Sequence, residues 1–104
     1  MKVEIYTTEG CEWCEDAVDW FLENRIPYQE MVVSYNKRKQ ISSILTERSR
    51  RRVTTFPQIF INDLYIGGYT NLMKKSKLIL EQHKEGDNGN KNILKNGLYL
   101  LPKS

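Results

Sequence analysis

Cys11 and Cys14 are the only thiols in the chain, set in the stretch Thr8-Glu9-Gly10-Cys11-Glu12-Trp13-Cys14. A disulfide that closes so short a loop constrains the unfolded chain little, so stapling is a poor use for the pair. Opening and closing during turnover is a better one, and a strand-like run before the pair with a helix-like run after it is the setting for such chemistry. A helix read from about Cys11 to Asn24 places Cys11 at its N-terminus, where unpaired backbone N–H groups and the positive dipole end favour an anion. A thiolate is such an anion, and this placement lowers a cysteine pKa from about 8.5 towards neutrality. Negative charge on Glu12 and Glu15 opposes that shift. Cys14, one turn further on, is placed to attack a mixed disulfide formed at Cys11.

Other uses of the pair are weaker. Zinc takes four protein ligands, or three and a water, and the rest of the chain adds one histidine, His83, and no cysteine. An inert buried pair fits poorly beside Gly10 and the acids Glu9, Glu12 and Glu15. The pair is therefore read as a dithiol redox centre, with no metal site.

The elements that must hold this centre follow from periodicity. Val3-Glu4-Ile5-Tyr6 alternates as a strand within residues 2–7, and Ala17, Val18, Phe21 and Leu22 form one stripe of the first helix. Pro27 ends that helix region, and Tyr28 to Val33 reads as a second strand. Strand, helix and strand in so short a span make a βαβ unit with parallel strands and a right-handed crossover. A second amphipathic helix spans 37–48, with Ile41, Ile44, Leu45 and Arg48 at helical spacing and Ser34 or Asn36 as its cap. Ser49 to Arg52 is a charged loop. Pro57 opens a third strand, Asn62-Asp63 turns it into a hairpin, and Leu64-Tyr65-Ile66 returns. Gly67-Gly68 permits close backbone approach, and a third helix runs from about Thr70 to His83. The fold class is α/β, in the order β-α-β-α-β-β-α, with a four-stranded mixed sheet flanked by helices. Residues 1–84 form the domain. Residues 85–104 are a flexible polar linker, Gly86 to Asn92, and a tail ending in the apolar patch Gly97 to Pro102.

With 104 residues there is room for one modest core. No apolar leader follows Lys2 and no run reaches membrane-spanning length, so the expected setting is cytoplasmic, where a lone cysteine pair suits catalysis. The net charge of +3 conceals an asymmetry. Residues 1–33 carry Glu4, Glu9, Glu12, Glu15, Asp16, Asp19, Glu23 and Glu30 against Lys2 and Arg25; residues 36–52 carry Lys37, Arg38, Lys39, Arg48, Arg50, Arg51 and Arg52 against Glu47. No aromatic residue interleaves these bases, which favours a solvated face or anion recognition near the thiols over nucleic-acid binding.

Taken in order, three stretches resemble the glutaredoxin family, on a small thioredoxin-like fold. They are Val3 to Thr7 running into Cys11-Glu12-Trp13-Cys14, then Thr55-Phe56-Pro57-Gln58-Ile59-Phe60-Ile61, then Ile66-Gly67-Gly68-Tyr69-Thr70-Asn71-Leu72. They span residues 1 to about 83 and leave the tail uncovered. The resemblance implies glutathione-dependent thiol–disulfide exchange, with Cys11 and Cys14 catalytic. It implies a cis Pro57 facing the dithiol and a Phe56 backbone that pairs with the cysteinyl part of glutathione. Gly68, Thr70 and Asn71 match the segment that holds the γ-glutamyl end. Thr8, Trp13 and Thr55 complete the implied glutathione-binding set. Thr8 stands where the family often has a lysine, and Lys37, Arg38, Arg50, Arg51 or Arg52 are the candidate replacements. Glu12-Trp13 replaces a frequent proline and tyrosine, Asn71 replaces a frequent aspartate, and Trp13 reads equally as a bystander or as a contact surface for protein substrates. The implied partners are glutathione and disulfide-bonded or glutathionylated proteins, ribonucleotide reductase among them. Two other functions fit the same residues: a glutathione-ligated iron–sulfur cluster carrier, and a thioredoxin-like electron carrier recharged by a reductase.

Overall fold

The computed structural model describes residues 1–87 of the chain. The apolar patch and most of the linker read from the sequence lie outside the described residues. Four strands form one sheet in the order β2-β1-β3-β4: β1 is Val3–Thr7, β2 Gln29–Val32, β3 Gln58–Ile61 and β4 Leu64–Gly67. β1 and β2 run parallel, with Glu4 opposite Gln29 and Thr7 opposite Val32. β3 is antiparallel to both β1 and β4, with Ile5 opposite Ile59 and Phe60 opposite Tyr65. The mixed four-stranded sheet expected from the sequence is therefore present, and the parallel pair confirms the βαβ unit.

Alternation along β3 divides the core. Ile59 and Ile61 join Val3, Ile5, Ala17, Phe21, Ile26, Ile66, Leu72 and Ile79 on one face. Phe60 points the other way and packs with Leu45 and Val53, flanked by Tyr6, Ile41, Phe56 and Tyr65. Helix α1, Glu12–Glu23, and the later helices cover the first face, and α2, Arg38–Ser49, covers the second. Both faces of β3 are thus closed, and all four of its residues are buried.

Several local expectations are corrected. α1 stops at Glu23 because Arg25 adopts the left-handed conformation, φ 56°. Its N–H donates to Leu22 O at 3.0 Å, and that of Ile26 donates to Phe21 O at 2.9 Å. This Schellman arrangement satisfies the helix-end carbonyls before Pro27 is reached. Trp20, not Leu22, packs beside Phe21, and Leu22 is exposed. Ser34 caps no backbone N–H; its hydroxyl donates to Asn36 Oδ1, and a 3-10 turn over Tyr35–Lys37 leads into α2. The single third helix is two: α3, Tyr69–Lys74, and α4, Ser76–Asp87, broken at Lys75. Ser76 Oγ donates to Met73 O at 2.9 Å, the kind of side-chain bond that competes with the helical ladder. α4 also runs on through Gly86 to Asp87, beyond the helix end read at about His83.

Across the α2 face, one guanidinium ties two strands and the hairpin turn together. Arg48 lies 3.9 Å above the Phe60 ring, pairs with Glu4 and Asp63, and donates to Tyr6 Oη. Burial pulls its pKa down, but the hydrogen bond and charge of Glu4, with Tyr6 and Asp63, outweigh this and raise it.

Candidate active site

Gly10 turns the chain from β1 into α1 at φ +70°, a conformation that costs glycine little. Cys11 then takes extended backbone angles as the N-cap of α1. Cys11 and Cys14 are joined as a disulfide, with Cα atoms 5.2 Å apart. The Cys14 backbone N–H donates to Cys11 Sγ at 3.1 Å, and Cys14 and Glu15 N–H groups also reach Cys11 O. When the bond opens, that first donor faces the Cys11 sulfur and favours its anionic form. Access separates the two thiols: Cys14 is 3% exposed, while Cys11 is half-buried at the surface. The outer sulfur is placed to meet a substrate and the inner one to resolve it.

Opposite the dithiol, the Phe56–Pro57 peptide is cis, as the resemblance implied. Phe56 O lies 3.6 Å from Cys11 Sγ, which sets the loop before β3 against the redox centre. Beyond that contact opens a cleft of about 410 Å³, lined by Trp13, Arg52, Thr54, Thr55, Phe56, Pro57, Gln58, Tyr65, Gly68, Tyr69, Thr70 and Asn71. That volume suits a small ligand. The fold thus gathers Trp13, Thr55, Phe56, Pro57, Gly68, Thr70 and Asn71 into one wall, from three segments far apart in sequence. Trp13 is 57% exposed and its ring meets that of Tyr69 at 5.4 Å, so Tyr69 belongs to the rim as well as to the packing.

Asn71 also has a structural task. Its Oδ1 accepts from Gly68 N–H at 3.1 Å, so its side chain holds the turn that leads into α3. Gly67, at φ +117°, is required beside it, because a Cβ there would stand 2.5 Å from Asn71 Oδ1.

Thr8 is not part of this wall. It lines a second cleft on the other side of the dithiol, with Glu9, Glu15, Asp19, Glu30 and Cys14. Among the bases considered as replacements for a lysine there, Arg52 lines the first cleft, whereas Lys37 borders a groove under α2 and Arg38 stacks over Tyr35. Gln58 and Tyr65 were not singled out by the sequence. The available signal was one amide in an otherwise apolar buried strand, since such a group requires partners.

The family model for Glutaredoxin matches residues 3–66. The chain belongs to the glutaredoxin family. It is 40% identical over 71 residues to glutaredoxin 3 of Escherichia coli, covering 68% of this chain and 81% of that protein. It is 30% identical over 73 residues to glutaredoxin 1 of Rickettsia bellii, covering 70% and 74% respectively. The crystal structure of glutaredoxin 1 from Francisella tularensis, complexed with cacodylate, superposes with a TM-score of 0.74 at 37% identity, over 77% of this chain and 96% of that one. A buckwheat glutaredoxin–glutathione complex shares the fold, with a TM-score of 0.59 at 22% identity, over 72% of this chain and 67% of that one. As a glutaredoxin with its Cys11–Cys14 pair at a helix N-terminus, the protein is a thiol–disulfide oxidoreductase. Among the described residues, no helix is long and apolar enough to cross a membrane.

Proposed function

We propose that this glutaredoxin reduces glutathionylated proteins and protein disulfides at the expense of glutathione, in the cytoplasm. The observation that carries the reading is the cleft beside Cys11, built from Thr55-Phe56-Pro57, Gly68, Thr70 and Asn71, within 3.6 Å of whose wall the accessible sulfur sits. A glutathionyl group lying in that cleft brings its sulfur to Cys11.

The Cys11 thiolate attacks the glutathionyl sulfur, a new S–S bond forms, and the substrate thiolate leaves and takes a proton from water. Glutathione thiolate then attacks the Cys11–glutathione disulfide, giving glutathione disulfide and the Cys11 thiolate. For a protein disulfide, Cys11 attacks one sulfur, and Cys14 displaces the substrate thiol from the resulting mixed disulfide. The Cys11–Cys14 bond so formed takes two electrons from two glutathiones. The N–H of Cys14 stabilises Cys11 whenever it is the leaving sulfur, so the same bond serves attack and release. Arg52, on the cleft rim, supplies positive charge for a glutathione carboxylate.

The test is glutathione-driven turnover of a glutathionylated peptide, coupled to glutathione reductase. Turnover is expected with wild type, and direct reduction by thioredoxin reductase without glutathione turnover would overturn the reading. Arg52→Ala should raise KM for the peptide about two- to fivefold with kcat unchanged, as befits an exposed charge pair. The difference should shrink at high salt, because solvent ions screen a rim charge.

A further inference from the structure

Gln58 is the only polar side chain of β3, and it is 5% exposed. A buried primary amide left without partners is costly, and Gln58 has two. Its Nε2 donates to Thr55 O at 2.9 Å, and its Oε1 accepts from the Tyr65 hydroxyl. The direction of this relay is set by chemistry. The Thr55 carbonyl only accepts, so Nε2 must face it; Oε1 then faces Tyr65, and the phenol must donate. Burial pushes the Tyr65 phenol above its ordinary range, with Arg51 opposing, so the donor proton is retained at neutral pH.

Thr55 O and Phe56 N–H belong to one planar trans peptide unit and point in opposite directions. Holding the carbonyl against Gln58 therefore fixes where the Phe56 N–H points. Phe56 is the residue whose backbone, in the glutathione reading, pairs with the ligand, and its own carbonyl stands 3.6 Å from Cys11 Sγ. A rotation of the Thr55–Phe56 peptide would move the ligand's anchor without touching the dithiol.

We infer that Tyr65, acting through Gln58, is a positioning residue that orients the Thr55–Phe56 peptide for the glutathionyl part of the substrate, an inference that rests on the glutathione reading above. Tyr65→Phe removes one hydroxyl and keeps the ring, whose centroid lies 5.3 Å from that of Phe60. Without the donor, Oε1 is left unsatisfied, and the amide turns to recover a partner and releases Thr55 O.

The decisive measurements are made on the full chain with a glutathionylated peptide. Tyr65→Phe should lower kcat/KM about three- to tenfold, chiefly through KM, the size expected for one lost hydrogen bond. Alkylation of Cys11 by iodoacetamide, which needs no cleft, should keep its rate and pH profile. The Phe56 amide resonance should move. In a Gln58→Met background, Tyr65→Phe should add no further loss, since the two act as one unit. An undiminished further loss means that the phenol touches substrate directly and overturns the relay. Unchanged kcat/KM, or an unmoved Phe56 amide resonance, overturns it equally, and the resonance decides the matter if Gln58→Met does not fold. Absence of wild-type turnover is a separate result, which defeats the glutathione reading itself.

Discussion

Cys11→Ser should lose glutathione-driven turnover of a glutathionylated peptide altogether, a fall of roughly a thousandfold or more, as removal of an attacking nucleophile costs in other enzymes. Serine at the N-cap keeps the fold, because a hydroxyl accepts from the Cys14 N–H at least as well as a sulfur does. What disappears is the nucleophile, since a hydroxyl is scarcely ionised at neutral pH. Cys14→Ser should behave differently. Cys14 is buried, and the peptide route closes without it, because a second glutathione releases Cys11. That variant should therefore keep deglutathionylation within a few-fold of wild type, yet lose reduction of a protein disulfide, where the mixed disulfide needs an internal thiol. Steady-state rates of both variants on both substrates make the check. Survival of Cys11→Ser with loss of Cys14→Ser would reverse the roles assigned from exposure and from the 3.1 Å N–H contact.

The parts of this site that were legible in the sequence are those fixed by local rules. The dithiol at a helix N-terminus follows from Gly10, the two cysteines and the apolar stripe behind them. The hairpin follows from Asn62-Asp63, which take φ 52° and 68°, the left-handed pair that a tight two-residue turn requires. The glycine pair follows from its backbone freedom; the cis Pro57 came through family resemblance, and no periodicity contains it. What escaped depends on side chains meeting across the fold. Arg25 ends α1 in a conformation more usual for glycine, Ser76 breaks a helix whose apolar spacing runs on, and Gln58 finds Tyr65 only because the hairpin closes. Thr8 and Arg52 make the same point. A position three residues before Cys11 looks adjacent to the cleft in sequence, but the turn at Gly10 sends it to the other side of the dithiol, while the loop after α2 carries Arg52 to the rim.

Phe60→Ala should destabilise the domain by about 3–5 kcal/mol, the cost of deleting a buried aromatic ring and leaving a cavity. Phe60 is 0% exposed at the centre of β3, and among the described residues its cluster has Leu45 and Val53 as its buried apolar partners. So small a cluster has little material with which to fill the space. Its ring also meets Tyr6 edge-on at 6.2 Å and Tyr65 at 5.3 Å. Above it, the Arg48 guanidinium would lose a partly desolvated ring contact while remaining paired with Glu4. For a domain of ordinary stability, about 5–15 kcal/mol, the loss is a large fraction of the whole. Urea unfolding should show a lower midpoint with an unchanged slope. Phe60→Leu separates volume from aromaticity: it fills most of the cavity, and a cost below about 1.5 kcal/mol would assign the effect to packing. A cost near that of alanine would instead assign it to the ring's contacts with Arg48 and the two tyrosines. Because Tyr65 rests on Phe60 and also carries the relay to Thr55, the alanine variant should weaken peptide binding even under conditions where it is fully folded, while Cys11 alkylation, governed on the opposite face of the sheet by α1, keeps its rate.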